Sequence, residues 1–412
     1  MAVTPDPLFS RVDGALPALS QMEVSALEVV RKQGPLSRTD LSEALSTSRA
    51  SVTSIVGSLL EANVLTEIGQ GKSEGGRPPM LLDVNSQLGF IAGVDIGATS
   101  IDLALADFRG TILERSSEPI DIQMGPEPLL TQICDELEGM LARRGAGPQD
   151  VLGIGIGVPG PVQFSTGLLI APPLMPTWEG YPIKQYVRRR FPHARPVVDN
   201  DVNIMALGEL RAGAGSDLDN FLFIKIGTGI GCGIISNKTV YRGSDGCAGD
   251  VGHICVDYNG PICHCGNPGC LEYMAAGPAI ASKGLQAAES GQSEFLARRL
   301  KENGGVLTSR DVGDAAAAGD RIANEIVRQS GKMIGGVLAG LVNFYNPRAI
   351  FIGGGVSKIG HQLLSTIRQA TLRRATALST RLLRIEYSQL GDDAGVMGAI
   401  WLAMEHVFIA NG

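Results

Sequence analysis

Phe90-Ile91-Ala92-Gly93-Val94-Asp95-Ile96-Gly97-Ala98-Thr99 is an apolar run that breaks into a glycine turn, and Ile101 to Ala106 is apolar again. A strand, a tight turn and a returning strand is the direct reading. Asp95, Gly97 and Thr99 in such a turn can offer backbone N–H groups and a hydroxyl to phosphate. Taken alone, the same residues also describe an ordinary β-turn. The plan recurs at Leu222 to Ile235, where Gly227-Thr228-Gly229-Ile230-Gly231-Cys232-Gly233 interrupts the strands. Two such hairpins predict a duplicated α/β body of the actin-like, ribonuclease-H-like kind, with a cleft between two lobes. A third glycine turn, Gly353-Gly354-Gly355, follows the apolar run Ala349 to Ile352 and could accept an adenosine.

Between the first two turns lie Gly153-Ile154-Gly155-Ile156-Gly157-Val158-Pro159-Gly160-Pro161 and Val197-Val198-Asp199-Asn200-Asp201-Val202-Asn203. The second segment should end a strand and open a helix through Glu209. Asn200 and Asp201 at a strand's carboxyl end can hydrogen-bond a polyol, and Asp201 can serve as general base on a hydroxyl. Asn and Asp are also good helix caps, which is the simpler alternative.

Gly249-Asp250-Val251-Gly252-His253 precedes Cys263-His264-Cys265-Gly266-Asn267-Pro268-Gly269-Cys270-Leu271-Glu272. Cys263, Cys265 and Cys270 with His253 have the donor types of a closed structural Zn²⁺ site. Gly266 and Gly269 permit the turn that returns Cys270 to the metal. His264 competes with His253 as the fourth ligand, and spacing does not choose between them. A cluster of free core cysteines is the alternative. An open catalytic zinc is disfavoured, because four ligands fill its coordination sphere.

The first eighty-odd residues have a different texture. Ser20-Gln21-Met22-Glu23 is a capping box that opens a helix to about Lys32, with Leu27 and Val30 inside. Ser37-Arg38-Thr39-Asp40 caps a short helix ending near Leu45, and Ser48 caps a third. Val52, Ile55, Val56, Leu59 and Leu60 recur at helical spacing, opposite Ser51, Ser54 and Ser58. This is the pattern of a helix-turn-helix. Val64 to Ile68 and Met80 to Val84 read as strands of a β-hairpin wing around the polar stretch Gly69 to Pro78. Residues 1–84 are therefore expected to be a winged helix-turn-helix DNA-binding domain, and residues 85–412 the two-lobed body, with its zinc segment at 253–270. Ser51 and Ser54 let the helix backbone approach the major groove, while Arg49, Lys72 and Arg77 suit phosphates or the minor groove. Against this, residues 1–84 hold seven Lys/Arg and ten Asp/Glu, so a small helical interaction or dimerisation domain is the competing reading.

The whole chain of 412 residues is 44% hydrophobic and 19% charged, with 54 glycines, which fits a soluble, globular α/β protein. A net charge of −7 argues against coating nucleic acid non-specifically, though not against a local DNA reader. The 7 cysteines are clustered as for metal rather than for a disulfide framework, so a reducing cytoplasm is expected. Pro5, Asp6 and Pro7 stand where a signal peptide would be basic and then apolar. Ile334 to Val342 is too short to cross a membrane, so no membrane partner is expected.

Assembled, these segments resemble the ROK family of bacterial sugar kinases and sugar-responsive repressors. The resemblance covers nearly the whole chain. It rests on Asp95-Ile96-Gly97-Ala98-Thr99, Pro159-Gly160-Pro161, Asn200-Asp201-Val202-Asn203, Gly227 to Gly233, Ala248 to His253, the Cys-rich segment and Gly353 to Gly355. The winged helix and its Gly76-Arg77-Pro78 step look like the repressor branch. The resemblance implies that Asn200, Asp201, Asp250, His253 and Glu272 line a sugar pocket. It also implies that Asp201 is the base for attack on the γ-phosphate of ATP, and that His253 holds zinc through one nitrogen while its ring faces the sugar. Three positions depart from the family pattern: Asp250 stands for the usual Glu, Ser100 for Lys or Asn, and Leu174 for the Asn of a Pro-Asn-Leu motif before Trp178. The expectation is a sugar-responsive repressor of carbohydrate-metabolism genes, working as a homodimer or tetramer on operator DNA. The alternative is an ATP- and Mg²⁺-dependent sugar kinase of the glucokinase or N-acetylhexosamine kinase type, with or without DNA binding.

Overall fold

Short-range capping sets the first helices. Ser20 Oγ accepts from Glu23 N, and the Glu23 carboxylate accepts from Ser20 N at 2.7 Å, so the helix Gln21–Gln33 begins there. Ser37 and Asp40 do the same for Arg38–Ala44, and Ser48 accepts from Ser51 N to start Arg49–Glu61. The computed structural model describes residues 19–72 and 78–408. Gly76 and Arg77 of the wing, and Pro5, Asp6 and Pro7, lie outside the described residues.

Leu27, Val30, Leu41, Val52, Val56 and Leu59 close the small helical core. The strand expected at Val64 starts one residue later and runs Leu65–Gln70. Val64 N is used by Leu59 O, which finishes the preceding helix. Met80–Val84 pairs antiparallel with Leu65–Gln70 on one side, and with Leu36–Ser37 on the other. Three helices, a small sheet and a hairpin are the elements of a winged helix.

The body contains one strand plan twice. In the first lobe the sheet order is Arg195–Asn200, Val151–Val158, Phe90–Ile96, Ser100–Asp107, Ile112–Pro119. The second lobe has Arg384–Tyr387, Ala349–Gly353, Phe221–Ile226, Ile230–Ser236, Thr239–Val240. In each lobe the first strand in sequence pairs antiparallel with the second and parallel with the fourth. This is the actin-like, ribonuclease-H-like duplication. The central strands are buried on both faces, and for that reason their sequences are apolar without alternation.

The helices Asp201–Ala212 and Asp393–His406 lie against each other between the lobes. Their backbones nearly touch. A Cβ on Gly208 would sit 2.3 Å from Ala394 O, and one on Gly398 would sit 1.6 Å from Ile204 O. The second helix also rests on the first-lobe sheet, where a Cβ on Gly155 would meet Ala399 O at 1.8 Å. Only glycine fits at these crossings.

The winged helix is docked on the same helix pair. One apolar cluster runs from Val30 and Leu59 through Phe108 to Ile400 and Phe408. Arg31 is wedged between the rings of Phe108 and Trp401, at 5.3 and 5.7 Å from their centroids. Burial pulls its pKa down to about 10. Arg211, in the last turn of Asp201–Ala212, pairs with Glu405 and reaches Glu28 of the first helix at 3.9 Å. No helix among the described residues is long and apolar enough to cross a membrane.

Gly398→Ala should lower stability by about 1–3 kcal/mol or more, because the added methyl must push two backbones apart. Thermal unfolding of the variant beside the parent measures this, and an unchanged melting temperature would contradict the packing described.

Candidate functional site

Asn200 ends a first-lobe strand and caps the helix Asp201–Ala212. Its Oδ1 accepts from Val202 N at 2.9 Å, and its Nδ2 donates to Gly160 O at 2.9 Å. The simpler expectation, a helix cap, therefore describes part of what Asn200 does. The same side chain also pins the Pro159-Gly160-Pro161 turn to the helix start.

Asp201 follows in the first turn and is buried. Its Oδ2 forms an ion pair with the ammonium of Lys225 from the second lobe. The sequence reading passed over Lys225. The available signal was a single charge in the otherwise apolar strand Phe221-Leu222-Phe223-Ile224-Lys225-Ile226, since a lysine is almost never buried without a partner. Burial opposes the charge of Lys225, but the carboxylates of Asp201 and Asp95 outweigh it and raise the pKa. For Asp95 the balance goes the other way. Burial raises its carboxyl to about 7, against the pull of Lys225. Asp95 Oδ1 is buried and has no hydrogen-bond partner among the described residues. A second interlobe pair lies behind: Arg242 donates to Asp199 at 2.8–2.9 Å.

The glycine turns meet around this point. Gly97 N bonds Ser100 O, leaving Thr99 exposed at the tip of the first turn. In the second turn Gly227 N bonds Gly229 O, with Thr228 exposed, and Gly227 O accepts from Gly277 N at the start of the helix Gly277–Glu289. Lys225 Cε lies 3.9 Å from where a Cβ of Gly227 would be. The third turn abuts the second. Gly354 has φ +86°, and a Cβ there would meet Ile226 O at 2.6 Å. Gly353 ends its strand, while Gly355 opens a short 3₁₀ turn with free space where a Cβ would be. The buried, unpartnered Asp95 oxygen and these tight glycine turns fit a nucleotide phosphate and its cation in part. The lysine on Asp201 is foreign to that fit.

Glu272 braces the pocket from the other side. Its Oε2 accepts from Ile230 N at 2.9 Å and would lie 2.4 Å from a Cβ on Gly229. The next residue, Gly231, packs against Val202, so adjacent positions on one strand touch Glu272 and the start of the Asp201 helix. Asp250 is exposed, with Oδ1 3.9 Å from Nε2 of His253. The other nitrogen, Nδ1, faces Cys263 Sγ at 3.7 Å. One imidazole thus joins Asp250 to the cysteine cluster.

The ligand atoms of His253, Cys263, Cys265 and Cys270 all lie within 4.8 Å of one another and could hold a metal ion. The Cys265 and Cys270 sulfurs are 3.6 Å apart. Tetrahedral bonds of about 2.3 Å place two thiolates about 3.8 Å apart, close to this separation. The Asn267 backbone N–H lowers the Cys265 thiol to about 7, while burial pushes Cys270 up to about 12. His253 is the histidine of this group. His264 is exposed and stands edge-on to Tyr273, centroids 5.8 Å apart.

Arg49, Ser51 and Ser54 are each exposed on Arg49–Glu61, Ser51 and Ser54 on one side of it, with Ser51 Oγ 2.9 Å from Ser48 Oγ. Lys72 is exposed beside the wing, and Arg77 is outside the described residues.

A model of the ROK family matches residues 91–406. The putative xylose repressor of Caldicellulosiruptor sp. strain Rt8B.4 is 34% identical over 377 residues, 91% of this chain and 93% of that protein. A solved ROK family transcriptional regulator, a homologue of the E. coli MLC protein, superposes with a TM-score of 0.80 at 26% identity, covering 94% of this chain and 96% of that one. A ROK family glucokinase from Streptomyces griseus, solved with glucose and AMPPNP, gives a TM-score of 0.68 at 33% identity, covering 77% of this chain and 100% of that one. The repressor and the regulator extend over more than nine-tenths of the chain, whereas about three-quarters of it accounts for the whole glucokinase. Matched through both lobes and the residues between them, this chain belongs to the ROK family.

Proposed function

We propose that the chain is a sugar-responsive transcriptional repressor of carbohydrate-metabolism genes. The observation that carries this reading is a winged helix with an exposed, hydroxyl-rich helix face, docked through a continuous apolar core on a sugar-kinase-like body. Arg49, Ser51, Ser54, Lys72 and Arg77 meet operator DNA, with the helix Arg49–Glu61 in the major groove. The acidic balance of this part makes base and shape readout more important than bulk charge. Two winged helices of a homodimer, or of a dimer of dimers, would read half-sites whole helical turns apart.

The sugar lies in the cleft, against Asn200, Asp201, Asp250, His253 and Glu272. Buried hydroxyls each need a partner, and these side chains supply carboxylate, amide and imidazole groups. A pentose or hexose is the chemical class, in keeping with the xylose and glucose named for the relatives. Zn²⁺ on His253, Cys263, Cys265 and Cys270 is structural. It fixes the His253 ring and the start of the Leu271–Ala275 helix that carries Glu272. The second reading is an ATP- and Mg²⁺-dependent sugar kinase, favoured by the three glycine turns and Asp201. In that case Asp95, Gly97, Thr99, Gly227, Thr228, Gly229 and Gly353 to Gly355 hold the nucleotide.

Fluorescence anisotropy with duplex DNA from the chain's own upstream region tests the regulator. Removal of residues 1–84 should abolish binding. Arg49→Ala should weaken binding and reduce its salt slope by about 1 if Arg49 meets a phosphate. The sugar that most raises the melting temperature should shift operator affinity at least several-fold. Binding that survives the truncation, or ignores every sugar that stabilises the fold, would defeat the reading. For the metal, elemental analysis of protein purified without added metal should find about one zinc per chain. Cys265→Ser should lose it, and the sugar-dependent melting shift with it.

A further inference from the structure

We infer that Lys225 holds the cleft as a receptor by occupying Asp201, the carboxylate that would otherwise act as base in phosphoryl transfer to a bound sugar. The inference rests on reading the cleft as a sugar site, and it assigns the residue that separates binding from chemistry there.

The geometry is specific. The two side chains come from opposite lobes, Asp201 from the helix after the last first-lobe strand and Lys225 from the central second-lobe strand. Both are largely withdrawn from water, with 6% and 22% of their side-chain surfaces exposed. Lys225 lies beside Gly227 of the second glycine turn and within the field of Asp95 from the first. It therefore stands where the two phosphate-type turns and the base converge.

Phosphoryl transfer asks several things of that point. The sugar O–H bond breaks and its proton passes to an Asp201 oxygen. The sugar oxygen bonds to the γ-phosphorus of Mg-ATP. The bond from that phosphorus to the β–γ bridging oxygen breaks, releasing ADP. An Asp201 oxygen already accepting from an ammonium is a weaker acceptor for the hydroxyl proton, and the pair's attraction is strong in a site shielded from water. The ammonium also lies between Asp201 and the second glycine turn, whose neighbourhood a transferred phosphoryl group would need, and small misplacements there are costly in rate. Ground-state recognition asks less. Asp201 Oδ1 forms no bond to Lys225 and can still accept from a sugar hydroxyl. The duplication makes the change visible: Asp95 and Lys225 stand at the same place in the two hairpins, two residues before the glycines Gly97 and Gly227.

The test uses the full-length chain with Mg-ATP and D-glucose, D-xylose or N-acetylglucosamine, reading sugar binding by calorimetry and ADP release by a coupled assay. The parent should bind one of these sugars and release no ADP above background. Lys225→Ser should still bind it and should raise sugar-dependent ADP release at least about a hundredfold, the lower end of what a freed general base supplies. Lys225→Met keeps the side-chain bulk without the charge. It should give part of the gain, and it serves if the serine variant does not fold. Adding Asp201→Asn to either variant should erase the gain, which a merely structural role for Lys225 would not do. A folded, sugar-binding Lys225 variant with no gain overturns the assignment while leaving the receptor reading intact. Parent turnover that Lys225→Ser abolishes makes Lys225 a phosphate-binding residue and overturns both the assignment and the repressor reading of the cleft. If none of the sugars binds the parent, the sugar site itself fails and this assignment falls with it.

Discussion

The contact on which the rest depends is backbone against backbone, where Asp201–Ala212 crosses Asp393–His406. Gly208 and Gly398 bring the chains to a separation that no Cβ would allow. Dispersion contacts are then made by main-chain atoms, which have no rotamers to adjust. The second helix is pressed in the same way onto the first-lobe sheet at Gly93 and Gly155, and the first onto the second-lobe strand at Gly231 and Gly233. The two lobes are thus joined through a pair of rigid rods with little slack. A change in the angle between lobes must move the pair as a unit, because a close-packed interface has few intermediate arrangements.

The ends of those rods connect the proposed sugar cleft to the winged helix. Asp201–Ala212 begins at Asn200 and Asp201, in the cleft, and its last turn carries Arg211, which reaches Glu28 of the winged helix. At about 1.5 Å per residue the helix spans roughly 18 Å. Its companion begins beside Asp95, where a Cβ on Gly395 would meet the carboxylate, and ends at Trp401, Met404 and Phe408 under the first helix of the winged part. Arg31 is the unusual element of this contact. It is half-buried between two aromatic rings, with Nε and Nη2 themselves buried and unpartnered, so ring faces and nearby carboxylates hold much of its charge. Such a contact is sensitive to small shifts of Trp401, since the two buried nitrogens have no other partner to fall back on.

What could be read from the sequence was local. Capping boxes at Ser20 and Ser37, the stripe Val52–Val56–Leu59, the glycine hairpins and the cysteine cluster each lie within a short span, and the structure reproduces them. The roles of His253 and His264 were not legible, because spacing permits both and only the folded segment brings His253 beside the three sulfurs. Asn200 looked like either a cap or a polyol ligand, and its amide serves the cap and the Gly160 turn together. Lys225 and Arg31 lay beyond local reading. Each is identified by partners far along the chain, which only the folded lobes bring close.

On the assignment of Lys225 proposed above, a duplicated fold changes use without changing shape. Both hairpins keep their turn glycines, since the turns need them for backbone geometry whatever they bind. The position two residues earlier is free of that demand, and there the halves differ in sign, Asp95 in one and Lys225 in the other. A lone lysine at a largely buried strand end would be costly, and so would Asp95 with two further carboxylates, Asp201 and Asp102, acting on it. Placed together they satisfy part of each other's charge, and Asp95 shows the remainder in a carboxyl raised to about 7. The lobes are then held by an ion pair across the cleft as well as by the glycine-packed helices. A polyol hydroxyl donating to the other Asp201 oxygen, Oδ1, would pull on one of these ties without displacing Lys225, while leaving the other fixed. That asymmetry makes the cleft a place where a ligand with no charge can shift the balance between lobe arrangements.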